Sequence, residues 1–413
     1  MYRLDWIESL KLRKGEARPG GTIRDVNPTV WKLGFTSLLT DISTEMVNSL
    51  LPVYVVLHLH MSPLQFGAID GNYNGVAIAL LSLAAGFIAD RTRRPKEVAF
   101  AGYGISAVSK LLLLLGSAWS GIAAIIALDR TGKGARTAPR DAMISLCTQP
   151  QSLALAFAVH RGLDAGGALL GPVIAFLILS RMPNGFDAVW VTSFAFAVLG
   201  LAVLWLFVQN PTNVSAPTRS DYSWRKIAGE HFWKLAGVGG VLSLMTLSDG
   251  FLYLLLQRRT GLAIGFFPLL YVMTAFSYML LSIPAGSVAD RFGRRPVFLA
   301  GYLAVGLIYL FLLTTNVIGI GAGLICLFFF GLYYAATEGV LAAMASSVIP
   351  AEYRARGLAI LATMVSCGKF CSSLLFGWLW QTWGTQTALT IVSLGLAGSL
   401  VIATYLLREP RHA

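Results

Sequence analysis

Two carboxylates four residues apart, Asp41 and Glu45, stand with Asn48 in the otherwise largely apolar stretch TSLLTDISTEMVNSLLPVYVV. An i, i+4 spacing puts both on one face of a helix. Close carboxylates repel, and a medium of low polarity favours the neutral acid, so such a pair can load and release a proton near neutral pH. The competing use is structural, a salt bridge to an arginine on a neighbouring helix. For Asp41 the pattern favours proton or solute coupling; for Glu45 the two uses stand level. A second group, ALDRTGKGARTAPRDA, carries Asp129, Arg130, Lys133, Arg136 and Arg140 among the loosening glycines Gly132 and Gly134. Arg130 and Lys133 are expected to face an internal cavity, because facing hydrocarbon is the costly alternative. So many cations in one helix suit a solute with an anionic or zwitterionic group. Arg140-Asp141, after Pro139, reads as the aqueous boundary, where long side chains snorkel cheaply. A third group, AFAVHRGLDAGG, sets His160, Arg161 and Asp164 within about one turn. His160 and Asp164, again i, i+4, read either as a proton relay or as part of a charge clamp between neighbouring helices. Later, Asp249, Glu338 and Lys369 punctuate apolar runs. Glu338 follows Tyr333-Tyr334, whose rings can stack on an organic solute or simply pack. Asp70, Asn72 and Asn74 extend the polar lining.

None of these groups assembles a catalytic motif. Gly132-Lys133 lacks the upstream glycine and the following Ser/Thr of a phosphate loop, and no nucleophile elbow occurs. The four cysteines, Cys147, Cys326, Cys367 and Cys371, lack metal-ligand spacing. Cys367 and Cys371, one turn apart, read as small buried packing residues. No catalytic residue, metal or cofactor is expected, and the chain is not expected to be an enzyme.

The elements that must position these groups are membrane helices. Of 413 residues, 56% are hydrophobic and 13% charged, against about 25% charged in an ordinary soluble domain. Mean hydropathy is +0.67. At about 20 apolar residues per crossing there is room for roughly twelve, and continuously apolar runs such as 76–89 and 385–406 exclude the alternating pattern of a membrane barrel. The spans are expected at 32–57, 64–89, 97–117, 119–146, 153–180, 186–208, 232–256, 262–289, 296–315, 318–347, 355–380 and 385–406. The chain divides into a tail (1–31), a six-helix half (32–208), a polar linker (209–231), a second six-helix half (232–407) and a short tail (408–413). The net charge of +12 comes from Lys and Arg crowded into short loops on one side, so it speaks for cytoplasmic loops and against nucleic acid. That asymmetry puts both termini in the cytoplasm of a multi-pass protein of the cell (inner or plasma) membrane. No cleaved leader is expected before Pro28. Residues 1–16 read as an interfacial helix or as a frayed tail.

The sharpest signal is a duplication. Residues 86–96 read GFIADRTRRPK and residues 286–296 read GSVADRFGRRP, matching Gly86 with Gly286, Asp90 with Asp290, Arg91 with Arg291 and Arg94 with Arg294 at a constant offset of 200. Ordinary basic loops explain the arginines but not the matched Gly and Asp. In this pattern, G-x-x-x-D-R followed by basic residues between the second and third spans and again between the eighth and ninth, the sequence resembles the major facilitator superfamily. The resemblance implies an all-α polytopic fold of twelve transmembrane helices in two six-helix bundles built from inverted repeats, enclosing a central cavity. It implies alternating access by rocking of the halves, with Gly86, Asp90 and Arg91 as a cytoplasmic latch and the second copy as its counterpart. It also assigns Arg130, with Arg136 behind it, to the place where proton and solute meet. Gly167-Ala168-Leu169-Leu170-Gly171-Pro172 partly resembles the family's antiporter motif, which leans the expectation toward export. The function expected is proton-coupled transport of a small organic solute or drug, by a monomer whose partners are the solute, the proton and the bilayer. Proton-coupling candidates are Asp41, Glu45, Arg130, His160 and Asp164; cavity candidates are Lys133, Arg136, Arg161, Asp249, Tyr334, Glu338 and Lys369. An uptake permease or uniporter of the same fold, and a membrane sensor that moves nothing, remain the alternatives.

Overall fold

The computed structural model describes residues 26–73, 84, 85, 88, 89, 92, 94–116, 118–149, 152–210, 229–349 and 354–407, with backbone alone at 72, 73, 154 and 354–356. Among these residues there are helices and no strand. Helix α1 spans Pro28–Asn48. It starts there because Pro28 is preset for the first turn and Asn27 caps it, its Oδ1 accepting from Thr29 N at 2.8 Å. The same asparagine donates to the Cys147 carbonyl at 2.9 Å, tying the start of α1 to the end of α4. The crossing continues through Leu51–Val53 and a π-helical turn, Tyr54–His58. There follow α2 (Pro63–Tyr73), α3 (Pro95–Leu112), α4 (Trp119–Leu146), α5 (Leu153–Arg181) and α6 (Phe186–Phe207). The second half holds α7 (Glu230–Leu244), α8 (Asp249–Thr260), α9 (Pro268–Phe292), α10 (Arg294–Thr314), α11 (Ile320–Val348) and α12 (Arg354–Leu406).

Helix thus stands at each of the twelve expected positions, although of the second span only α2 and a few residues beyond it are described. Among the described residues eight helices are long and apolar enough to cross a membrane. One of them, Gly357–Leu406, is long enough for two crossings and breaks at Gly384, φ 81°, which only glycine adopts without strain. Helices α1 and α4 miss that apolar criterion because they carry the charges. The expected seventh span is not continuous. It divides into α7 and α8, with Ser248 capping α8 at Phe251 N, 3.4 Å. Residues 1–25 and most of the linker lie outside the described residues, as do Gly86, Asp90 and Arg91, so the interfacial helix and the first latch have no structural counterpart here.

Small residues set the helix contacts. A Cβ on Gly167 would fall 2.7 Å from the Leu38 carbonyl oxygen and 2.9 Å from Asp41 Cβ. On Gly171 it would fall 2.7 Å from the Ile42 oxygen and 2.9 Å from Glu45 Cβ. α5 therefore lies backbone to backbone on α1, and its two glycines sit against the two residues that carry the carboxylates. The second half repeats the contact, Gly368 of α12 lying where a Cβ would be 3.0 Å from Ser243 Cβ and 3.2 Å from Leu244 N on α7. Cys367 and Cys371 flank that contact and are exposed. The expectation that they are buried packing residues is corrected: the helix turns Gly368 inward, and its cysteine face outward.

Among the described residues the halves join at one end. Gly67 and Gly71 of α2 pack on α12 at Ser373 and Phe370, and a Cβ on Gly377 would lie 3.1 Å from Leu64 Cα. Phe66 meets Phe251 ring to ring at 4.9 Å, Phe176 meets Phe266 at 5.3 Å, and the Ser373 hydroxyl donates to Asp70. Valine at Gly171 should separate α1 from α5 and lower thermal stability in detergent by about 1–3 kcal/mol. Gly104→Ala, where a Cβ meets nothing within 4 Å, should not. Equal melting temperatures for the two variants, read by tryptophan fluorescence, would contradict this account of the contact.

Candidate functional site: a cavity between the two halves

Held by the glycines of α5, the Asp41 and Glu45 carboxyls share one face of α1, as their spacing implies. Arg136 of α4 reaches Asp41 Oδ1 at 3.4 Å and lies over the Tyr103 ring at 4.5 Å. Glu45 accepts from Asn48 Nδ2 at 2.8 Å. Asp41 thus has an arginine partner on a neighbouring helix. The Lys133 ammonium makes no hydrogen bond or ion pair among the described residues, yet lies in the field of both carboxylates.

Arg130 is elsewhere. Its guanidinium is 1% exposed and pairs with the adjacent Asp129, whose other oxygen holds Lys110 of α3 at 2.5 Å and accepts from Ser109 at 3.2 Å. The expected cavity-facing Arg130 is corrected to one buried on Asp129 within the first half. Lys110 was not singled out from sequence; its signal is a lone lysine in the apolar run AVSKLLLLL. The α3–α4 contact that brings it to Asp129 is glycine-paved, a Cβ on Gly102 falling 2.8 Å from the Gly132 oxygen.

On α5, His160 Nδ1 lies 3.4 Å from Asp164 Oδ2, and Arg140 of α4 approaches the same oxygen at 4.0 Å while donating to Ser37 at 3.2 Å. Ser37 in turn meets the Tyr103 hydroxyl at 3.3 Å. Asp41, Arg136, Tyr103, Ser37, Arg140, Asp164 and His160 therefore form a chain of contacts across α1, α3, α4 and α5. The clamp between α4 and α5 is present in it. His160 Nε2 and Asp164 Oδ1 are buried with no hydrogen-bond partner among the described residues. Arg161 is exposed.

The cavity itself lies between the halves, with a volume of about 230 Å³. Glu45, Asn48, Ala168 and Pro172 line it from the first half, and Asp249, Tyr334 and Glu338 from the second. The break before α8 puts Asp249 at a helix start, where the Tyr334 hydroxyl donates to it; the Lys369 ammonium lies over the Tyr334 ring at 5.5 Å. Of the expected coupling and solute residues the lining gathers Glu45, Asp249, Tyr334 and Glu338. It excludes Asp41, Arg130, Lys133, Arg136, His160, Arg161, Asp164 and Lys369. Tyr253, Tyr271, Thr274 and Tyr278 also line it. Three of these, Tyr271, Thr274 and Tyr278, fall on one helical stripe in PLLYVMTAFSYM, a signal present in the sequence and left unread.

At the loop end, the second duplicated motif is described. Gly293 takes φ +100°, Asp290 and Arg294 approach to 3.6 Å, and Arg294 donates to the Ala343 carbonyl at 3.1 Å, fixing the α9–α10 turn to α11. Gly286 has open space around it, and Arg291 lies over Phe292 at 5.3 Å. Of the first copy, Arg94 is exposed at the start of α3.

A family model described as Major Facilitator Superfamily matches residues 33–266 and 237–413. An uncharacterized MFS-type transporter of Methanocaldococcus jannaschii is 29% identical over 370 residues, 87% of this chain and 90% of the relative. An uncharacterized protein of Mycobacterium tuberculosis is 26% identical over 394 residues, 92% and 93% of the two chains. Among solved structures, the nucleoside transporter NupG superposes with TM-score 0.74 at 14% identity, covering 92% of this chain and all of that one (100%). A peptide transporter POT in complex with sulfate superposes with TM-score 0.77 at 13% identity, covering 92% and 93%. At such identities the structures speak for the fold.

Because Asp129 is the shared counter-ion of two buried cations, Asp129→Ala should cost about 3–5 kcal/mol of stability by stranding Lys110 in the bundle. Adding Lys110→Met should restore part of the loss. Detergent melting curves test this; a single variant as stable as the parent would remove Asp129 from the structural role.

Proposed function

The chain belongs to the Major Facilitator Superfamily and is a multi-pass membrane transporter, and on that premise we propose that it moves a small organic solute by proton-coupled alternating access. The observation that carries the reading is the cavity at the junction of the halves, lined by carboxylates from both and closed over at one end by α2, α12, α5 and the turn that precedes α9. With the basic loops and both termini on the cytoplasmic side of the cell membrane, the joined end faces outward and the arrangement is inward-open. Rocking of the halves would part Gly67 and Gly71 from α12 and bring the loop end together.

Asp41 is the proposed proton carrier. Ionised, it holds Arg136; protonated, it releases the guanidinium to the Tyr103 ring and the cavity side, so the proton and the solute compete for one electrostatic balance. Glu45, one turn deeper, carries the charge change to the cavity lining. The His160–Asp164 pair, reached through Arg140, offers the path to the loop end. The close α1–α5 packing at Gly167, Gly171 and Pro172 resembles the antiporter pattern and supports export over import. A monomer suffices, since both halves of the cavity come from one chain.

Reconstitution into liposomes enclosing a pH-sensitive dye tests this. Substrate-dependent proton movement is expected for the parent and absent for Asp41→Asn, with solute exchange retained. Flux without proton movement would make the protein a uniporter or couple it to another ion. Binding with no flux for any solute would favour the sensor.

A further inference from the structure

The lining of the cavity has a chemistry more specific than transport alone requires. It presents three carboxylates, Glu45, Asp249 and Glu338, and the rings of Tyr253, Tyr271, Tyr278 and Tyr334, and among the described residues no lysine, arginine or histidine. The arginines of α4 are committed elsewhere, and Lys133 lies outside the lining, in the field of Asp41 and Glu45. Arg130 is buried on Asp129, Arg136 faces Asp41, and Arg140 lies among Ser37, Asp141 and Asp164. An anionic solute would therefore meet negative charge without a lining cation to receive it. The expectation of an anionic group rested on those arginines.

The three carboxylates differ in what satisfies them. Glu45 has the Asn48 amide and Asp249 has the Tyr334 hydroxyl. Glu338 has no hydrogen bond or ion pair among the described residues. Lys369 acts on it from a distance, while Lys369's own ammonium lies over Tyr334. Glu338 and Arg161 act on Tyr278 from the two sides of the gap without forming a pair. Glu338 is exposed to the inward-open space, and once the halves close over it a carboxylate at bilayer depth is costly unless a cation completes it or a proton neutralises it. Tyrosine rings favour an ammonium on their faces within about 6 Å. The structure already contains one such contact, since the Tyr334 ring holds the Lys369 ammonium at 5.5 Å. Tyr253 and Tyr271, packed at 4.5 Å with planes 65° apart, offer further ring surface toward the same space.

We propose that the transported solute carries an ammonium group, seated on the Glu338 carboxylate against the tyrosine rings, with Asp249 as the second acceptor. This rests on the transport reading of the cavity and names the class of solute it admits. A cavity of about 230 Å³ suits a small amine. The typical drug site is larger, about 300–1,000 Å³. A solute that also carries a carboxylate would direct it toward Lys133 or Arg161, away from Glu338.

Binding, kept separate from flux, tests the proposal. The purified full-length protein in detergent is titrated with phenethylamine and benzyltrimethylammonium, and with the matched 2-phenylethanol and 3-phenylpropionate, following thermal stabilisation and tryptophan quenching. The amines are expected to bind at least tenfold more tightly than the alcohol or the acid. Glu338→Gln, which keeps the shape and removes the charge, is expected to weaken the amines at least tenfold and leave the alcohol unchanged. Asp249→Asn is expected to do the same to a smaller degree. The melting temperature of each unliganded variant separates lost binding from lost folding. Equal or tighter binding of the acid, no stabilisation by either amine, or an amine affinity indifferent to Glu338→Gln overturns the assignment. Amine binding without amine flux in liposomes would leave it standing and sink the transport reading, whereas proton-linked flux of acids alone would do the reverse.

Discussion

An ionised side chain at bilayer depth must face another charge, a dipole or water, because hydrocarbon offers none of these. The charges of the first half obey this constraint in three different ways. Asp129 is sealed between Lys110 and Arg130 inside the bundle and accepts from Ser109 as well, and the triad binds α3 to α4. Asp41, Arg136, Arg140, Asp164 and His160 are strung through Ser37 and Tyr103 into a partly buried chain. Glu45 is turned to the cavity. A single basic helix thus supplies a structural pair, a network and an approach to the site, and its charge count alone says nothing about the solute.

Where each charge falls is decided by backbone contacts between helices. α5 can lie on α1 only because Gly167 and Gly171 have no side chains, and that contact turns the Asp41 and Glu45 faces toward α4 and the second half. Removing the gap would rotate the carboxylates along with the helix. The second half keeps the same arrangement with Gly368 on α7, and each half interrupts its helix beyond the contact, the first between Asn48 and Leu51 and the second between Leu244 and Asp249. Ser248 restarts the helix, and Asp249 emerges at its first turn, where the N-terminal dipole favours a carboxylate.

Span positions were legible because apolar length and loop charge are properties of the chain itself. The division of the seventh span was not, since SLMTLSDGF reads as a modest polar interruption until Ser248 is seen capping α8. The i, i+4 pairs were read correctly as shared faces, yet a shared face does not say which neighbour it meets. Charge and span position lead to a cavity-facing Arg130 alongside Lys133, and only the Gly102–Gly132 contact shows that α3 delivers Lys110 and Ser109 to Asp129 instead. For the same reason Cys367 and Cys371 share a face but not the buried one. The Tyr271, Thr274 and Tyr278 stripe was in the sequence all along. In a membrane helix, however, such tyrosines read equally as packing, and only the position of α9 across from Glu45 and Pro172 distinguishes the two.

The closed end of the cavity is built from residues adjacent to its lining. Asp70 of α2 crosses into the second half, where Ser373 of α12 donates to it and Ser248 hydrogen-bonds to it as well. Gly250 leaves the room for this, since a Cβ there would lie 3.2 Å from Asp70 Oδ1. Asp249 stands between Ser248 and Gly250, and its own carboxylate faces the cavity and Tyr334. One turn of α8 therefore presents alternate residues to the seam between the halves and to the space they enclose. On the proposed alternating-access reading, parting the halves at that end breaks the contact of Ser248 with Asp70, so the seam and the cavity share one turn of α8.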